Sequence, residues 1–209
     1  VLVVFLLVFW SSRKMSVKPT GKQNVLEYFF ELVTNTISPN LGGYTKNYSL
    51  LMFVIFGFIL VSNQLGLITS LTAGEHRFWT SPTANFGVTI TLSIIISIIC
   101  HIEGIRKQGI IGYLKGFVEP HPAMLPMNLL EELTNIASLA LRLFGNIYSG
   151  EVVMGLILQL AAISPFTGPI AFVLNMVWTA FSAFIGFIQA YVFIILSSNY
   201  LGKKVNGEG

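Results

Sequence analysis

The chain has 209 residues, 54% of them hydrophobic and only 10% charged, with a mean hydropathy of +0.74. A soluble domain carries about 25% charged residues, so this composition excludes a surface covered by water alone and requires lipid as part of the solvent. The net charge of +3 does not suggest nucleic acid, because the basic residues follow membrane topology, and the single cysteine, Cys100, excludes an internal disulfide and a thiolate metal cluster.

A helix needs roughly 20 apolar residues to cross a bilayer. Val1–Trp10 is apolar with no initiator Met and reads as the truncated end of a first membrane helix. No small-residue cleavage site follows before the basic cluster, which argues against a cleaved signal peptide. Asn24–Ile37 places Val25, Phe29, Leu32, Val33 and Thr36 on one side, the spacing of an amphipathic helix lying at the membrane surface, with a water-exposed loop helix as the alternative. Tyr48–Leu71 predicts a second membrane helix, interrupted only by Ser62, Asn63 and Gln64, and Phe86–Cys100 a third, short but extended by flanking residues. Two longer apolar stretches follow, Met127–Ile163 and Gly168–Leu201, with Pro165, Gly168 and Pro169 marking the turn between them. The expectation is an all-α integral membrane protein, one membrane domain over residues 1–209. It has five membrane helices, the first truncated, plus the amphipathic surface helix.

The last two stretches exceed what a bilayer needs. About 36 helical residues reach roughly 54 Å, against a hydrocarbon core about 30 Å thick. They are expected to form a long, strongly tilted hairpin whose side face could lie against another membrane body. No internal repeat is visible, which argues against a transporter built from inverted repeats.

The basic residues orient the chain. Arg13, Lys14, Lys18, Lys22, Lys46, Arg106, Lys107, Lys115, Lys203 and Lys204 fall on one face of a five-span topology, and only Arg77 on the other. By the positive-inside rule that face, with the C-terminus, is cytoplasmic.

One basic residue remains. Arg142 stands about fifteen residues into its helix and is expected to be buried among the helices. A charge there costs on the order of 2.5–3.5 kcal/mol on insertion scales, and arginine cannot escape it by losing its proton. The bland reading is a structural ion pair with Glu131, Glu132 or Glu103; the functional one is an ion pathway. At about 100° per residue, Glu131, Asn135, Ser138, Gly145 and Ser149 share the Arg142 face, with Asn146 about 40° away. Glu151 lies roughly 13–14 Å further along the axis on the opposite face, where it can border a separate aqueous pocket. In the last helix Asn175, Ser182 and Gln189 recur every seven residues on one face, beside a small-residue row of Ser182, Gly186 and Ala190. Packing and interhelical hydrogen bonds are the plain reading of that stripe. Glu131 and Glu132 open the penultimate helix, where they also complement its dipole. His76, His101 and His121 lack metal spacing and read as ordinary loop or interface residues. No nucleotide loop, catalytic triad, GxSxG or HExxH is present.

The segment Leu141-Arg-Leu-Phe-Gly-Asn-Ile-Tyr-Ser-Gly-Glu151 resembles the signature of subunit a of F-type ATP synthases, of the bacterial type. The resemblance extends over nearly the whole chain, including Ser62-Asn-Gln-Leu-Gly-Leu67, Ser81-Pro-Thr-Ala84, Asn128-Leu-Leu-Glu-Glu132 and Gln189-Ala-Tyr-Val-Phe193. It implies a non-catalytic stator subunit with no cofactor, forming two offset half-channels for protons. Arg142 would face the carboxylates of a rotating c-subunit ring. Asn146, Glu151, Ser182, Gln189 and Asn175 would serve the outer half-channel, and Glu131, Glu132 and Ser138 the inner one. The implied partners are the c-ring, the peripheral-stalk b subunits, other ATP synthase subunits and membrane lipid. The implied location is a bacterial plasma membrane, with an organelle inner membrane as the alternative.

Three positions depart from the family pattern. Asn85 stands where relatives often carry Asp, Asn135-Ile136 replaces a frequent Lys-Pro, and Ser182 stands where some carry His. The outer half-channel then depends on Glu151, amides, hydroxyls and water. The competing reading is a self-contained secondary ion transporter or channel, which would need its own counter-charge for Arg142.

Overall fold

The computed structural model describes residues 21–68, 72–73, 76–77, 82–118, 125–163 and 166–206. Helix α1 (Lys22–Leu41) joins α2 (Thr45–Ile68) through a 3-10 turn at Gly42–Tyr44. A small antiparallel ribbon of β1 (Thr72–Ala73) and β2 (His76–Arg77) follows, with Thr72 opposite Arg77. After a 3-10 turn at Pro82–Ala84 come α3 (Phe86–Val118), α4 (Leu125–Ile163) and α5 (Thr167–Asn206). Among the described residues four stretches are long and apolar enough to cross a membrane: Gln23–Leu67, Phe86–Gly116, Leu125–Ile163 and Thr167–Val205. The expected first span, Val1–Trp10, lies outside the described residues, as do His121 and Pro165.

The local signals explain the boundaries. Gly42, at φ 52°, ends α1, and its N–H returns to the Ser38 carbonyl. Asn85 caps α3: its side-chain oxygen accepts from the Gly87 N–H at 2.8 Å, and its carbonyl accepts from Val88 and Thr89. A carboxamide at this position therefore starts a helix, whatever an acid would do there. The α3 helix is far longer than the apolar run Phe86–Cys100 suggested. It continues through Glu103, Arg106 and Lys107 because these charges find partners: Tyr48 donates to Glu103 at 2.7 Å, Arg106 approaches Glu103 at 3.5 Å, and Lys107 lies 4.0 Å over the Tyr44 ring. At Gly109 the backbone turns through φ 75°, and the last residues of α3 change direction.

Helix α5 packs against all four other helices and forms the axis of the bundle. The fully buried side chains, among them Phe56, Ile59, Leu143, Phe193, Ile194 and Leu201, meet around it. In lipid, helices gain little by hiding apolar surface from one another; close packing and interhelical hydrogen bonds hold them. Both are present. A β-carbon on Gly202 would overlap the Asn40 carbonyl oxygen, and Asn40 Nδ2 donates to Ser198 Oγ at 2.8 Å. The α1 helix was expected to lie amphipathically on the membrane. It is amphipathic, but Val33, Ile37 and Leu41 are sealed against α2 and α5, whereas Val25 and Tyr28 are exposed. Outward-facing Ile, Leu, Val and Phe cover much of α3, α4 and α5, as an apolar solvent requires.

Candidate functional site

The α4–α5 hairpin carries the chemistry, and two cavities lie at different heights along it. The first, of about 250 Å³, opens between the starts of α4 and the ends of α3 and α5. Glu131, Glu132, Asn135 and Leu139 from α4, Cys100 and Tyr113 from α3, and Tyr200, Lys203 and Lys204 from α5 line it. The second, of about 220 Å³, lies toward the α4–α5 connection. Asn146, Ser149 and Glu151 from α4, Trp178, Phe181 and Ser182 from α5, and Asn63 from α2 line that one.

On α4 the first cavity ends at Leu139 and the second begins at Asn146, a separation of roughly 10 Å along the axis. Arg142 stands in that interval. Leu143 beside it is fully buried and fills the space behind it. Arg142 itself is exposed, which corrects the expectation that the other helices bury it. The reason is that its face of the hairpin, with exposed Ser149 and Leu156, is left uncovered by the other described residues. Its Nη2 donates to Ser138 Oγ at 3.3 Å, and among the described residues no carboxylate lies within ion-pair distance of it. The bland reading, a structural pair with Glu131, Glu132 or Glu103, is not what forms. Those acids meet Lys203, Lys204 and Arg106 instead.

Asn146, Glu151 and Ser182 come together in the second cavity. Gln189 is 3% exposed just beyond it, where its Oε1 accepts from Asn146 Nδ2 at 2.6 Å. The Gln189 Nε2 group is buried with no partner among the described residues, so a water molecule is its natural complement. Asn175 does not border this cavity; its Oδ1 is buried and likewise without a described partner. Glu131 and Glu132 share the first cavity, whereas Ser138 does not line it and serves Arg142.

Several participants escaped the sequence reading. Asn63 donates to the Gly186 carbonyl at 3.1 Å and accepts from Thr83 at 2.7 Å, and Gln64 donates to the Ala183 carbonyl at 2.9 Å. Gly186 is small because both neighbours press on it: a β-carbon there would lie 3.3 Å from Asn63 and from Gln64. Trp178 Nε1 donates to the Gly150 carbonyl at 3.1 Å, pinning the hairpin beside Glu151. His101, read as an ordinary interface residue, stands between Glu132 and Tyr113 at the first cavity. Three consecutive polar residues inside an apolar run, and a glycine in the charged end of α3, were the available signals. Among the described residues no cluster of His, Cys, Asp and Glu could hold a metal ion.

Comparison with known proteins matches the sequence to one family along nearly its whole length. The sequence profile of the family ATP synthase A chain covers residues 1–202. The chain belongs to that family. Among its relatives, ATP synthase subunit a of Streptococcus agalactiae serotype III (strain NEM316) is 75% identical over 206 residues, covering 99% of this chain and 87% of the relative. The Streptococcus gordonii (strain Challis) subunit a is 55% identical over 211 residues, 100% of this chain and 88% of its own. That of Streptococcus pyogenes serotype M5 (strain Manfredo) is 53% identical over 206 residues, 98% and 86% respectively. Membership in the family makes the chain a component of an ATP synthase, with other subunits of that complex as its partners. Streptococcal relatives and four long apolar helices together make it a bacterial membrane protein.

Proposed function

We propose that this chain is the stator subunit of the proton-translocating membrane sector. The cavity lined by Glu131 and Glu132 is the half-channel to the cytoplasm. The cavity lined by Asn146, Glu151 and Ser182, with Gln189 and Asn175 near it, belongs to the outer half-channel. Arg142 separates the two and faces the carboxylates of a rotating c-ring. The chain acts as a single membrane domain of five spans with α1 near the membrane surface, its C-terminus in the cytoplasm, beside the ring and the peripheral-stalk b subunits.

One observation carries this reading. Arg142 projects from a helix face that the other described residues leave uncovered, at the height where neither cavity reaches, with no acid among the described residues in contact. A fixed cation there opposes a direct proton wire between the cavities. It also attracts a carboxylate supplied by another chain and favours its charged form. A proton entering from outside neutralises a ring carboxylate, which then travels through lipid as an uncharged group. On nearing Arg142 from the other side the carboxylate ionises and releases its proton into the cavity of Glu131 and Glu132. Transmembrane voltage adds about 2.3 kcal/mol per charge per 100 mV to the bias. Ring rotation drives ATP formation elsewhere in the complex. The orientation follows the positive-inside rule: Arg106, Lys107, Lys203 and Lys204 gather at the first cavity's end of the bundle.

The test is Arg142→Ala in the assembled complex, reconstituted in vesicles. ATP-driven proton pumping should fall to background while the variant still co-isolates with the ring, and passive proton leak should rise. Normal coupled pumping by this variant would sink the mechanism.

A further inference from the structure

Glu131 and Glu132 are neighbours in sequence, yet they are held very differently. Lys203 approaches Glu131 at 3.3 Å with side chains 46% and 54% exposed, an arrangement that contributes little. Lys204 meets Glu132 at 2.5 Å, with side chains only 17% and 19% exposed. The other Glu132 oxygen faces His101 Nε2 at 3.9 Å. His101 is in turn fixed by Tyr113, whose hydroxyl lies 2.6 Å from Nδ1. Tyr113 reaches this place because α3 turns at Gly109.

Lys204 is braced as well. Its carbonyl accepts from Gln108 Nε2 at 2.9 Å, and its ammonium lies 5.5 Å from the centre of the Tyr113 ring. Gly104 leaves room for both: a β-carbon there would come within 2.7 Å of Tyr113 and 3.4 Å of Lys204. So much order around one cation is more than a helix-end charge needs.

We propose that Lys204 is a positioning residue for proton passage. With His101 as a second arm, it holds the Glu132 carboxylate in one direction in the cavity, whereas Glu131, which lines the same cavity, keeps a more exposed and looser pair with Lys203. The inference rests on the half-channel reading above. An ammonium offers only donors, and a carboxylate only acceptors, so a charge-assisted bond between them fixes the carboxylate's direction as well as its place. Without Lys204 the carboxylate is free to turn toward Lys203 or bulk water, and the cavity loses a fixed acceptor.

Lys204→Met and Lys204→Arg test this in the intact complex, in inverted vesicles, with ATP-driven pumping expressed per complex that co-isolates with the ring. Lys204→Met should pump about tenfold more slowly, the lower end of what losing a charge-assisted hydrogen bond produces. Lys204→Arg should recover most of the rate. In a Cys100→Ala background serving as its own reference, Lys204→Cys should regain pumping after a thiol reagent that adds an aminoethyl group. A neutral reagent of similar size should give no recovery. A simple helix staple predicts fewer assembled complexes, normal pumping in each, and no effect of either reagent; that result overturns the proposal, as does equal recovery with the neutral reagent. Glu132→Gln separates the two levels of the argument. If it pumps at the wild-type rate, the half-channel reading of Glu132 fails. If it is impaired while Lys204→Met pumps normally, only the positioning role fails.

Discussion

The two cavities differ in how they handle charge. The one at the basic end carries two carboxylates, each beside a lysine of α5. The one toward the hairpin connection carries a single carboxylate, Glu151, among amides, hydroxyls and the rings of Trp178 and Phe181. The contrast follows from position. Positive-inside topology gathers lysines at one end, and acids placed there are held by them. At the other end cations are scarce, so polarity comes from neutral groups that donate and accept. A proton path can be built from either set, and in the first the partner lysines are the point at which to perturb it.

The comparison can be broken most decisively by sidedness. In a background lacking Cys100, cysteine at 151 should react with a membrane-impermeant thiol reagent only from outside, and cysteine at 131 or 132 only from the cytoplasm. Reaction of position 151 from the cytoplasm alone would mean the two half-channels are reversed. A smaller effect is expected of Glu151→Gln. Asn146, Ser182 and Gln189 remain beside it, so pumping should slow several-fold while staying coupled to ATP hydrolysis; a ratio of protons to ATP that drops with the rate would contradict this. The smallest effect concerns packing. Gly186→Leu must displace Asn63 and Gln64, an overpacking that costs about 1–3 kcal/mol. It should lower the yield of assembled complex and its detergent stability before it touches pumping per complex, measured on the purified enzyme.

The sequence made the long elements legible because hydropathy reports each helix on its own. The α4–α5 hairpin, its excess length and the mid-span place of Arg142 followed from hydropathy and helical geometry within one or two segments, whereas the grouping of Asn146, Glu151 and Ser182 came only from the family resemblance. What it hid depends on which helices touch. Hydropathy carried the third span only a little past Cys100, because nothing local says that Glu103 will meet Tyr48 on another helix, or Lys107 the ring of Tyr44. Lys204 read as one more topogenic charge until α5 brought it to Glu132 on α4. Arg142 looked buried because mid-span position was equated with enclosure; its face of the hairpin is in fact left uncovered by the other described residues.

The connections between α4 and α5 also have a mechanical consequence. The two helices, 39 and 40 residues long, are rods of nearly 60 Å. They are fastened at three heights: Trp178 to Gly150, Gln189 to Asn146, and the terminal lysines to Glu131 and Glu132. Arg142 falls between the middle and lower fastenings. In the proposed role, each passing ring carboxylate pulls sideways on that guanidinium. A single rod loaded between its supports would bow. A pair joined on both sides of the loaded point resists shear as a beam does, so the tug is passed to the rest of the bundle and the guanidinium keeps its station through successive steps.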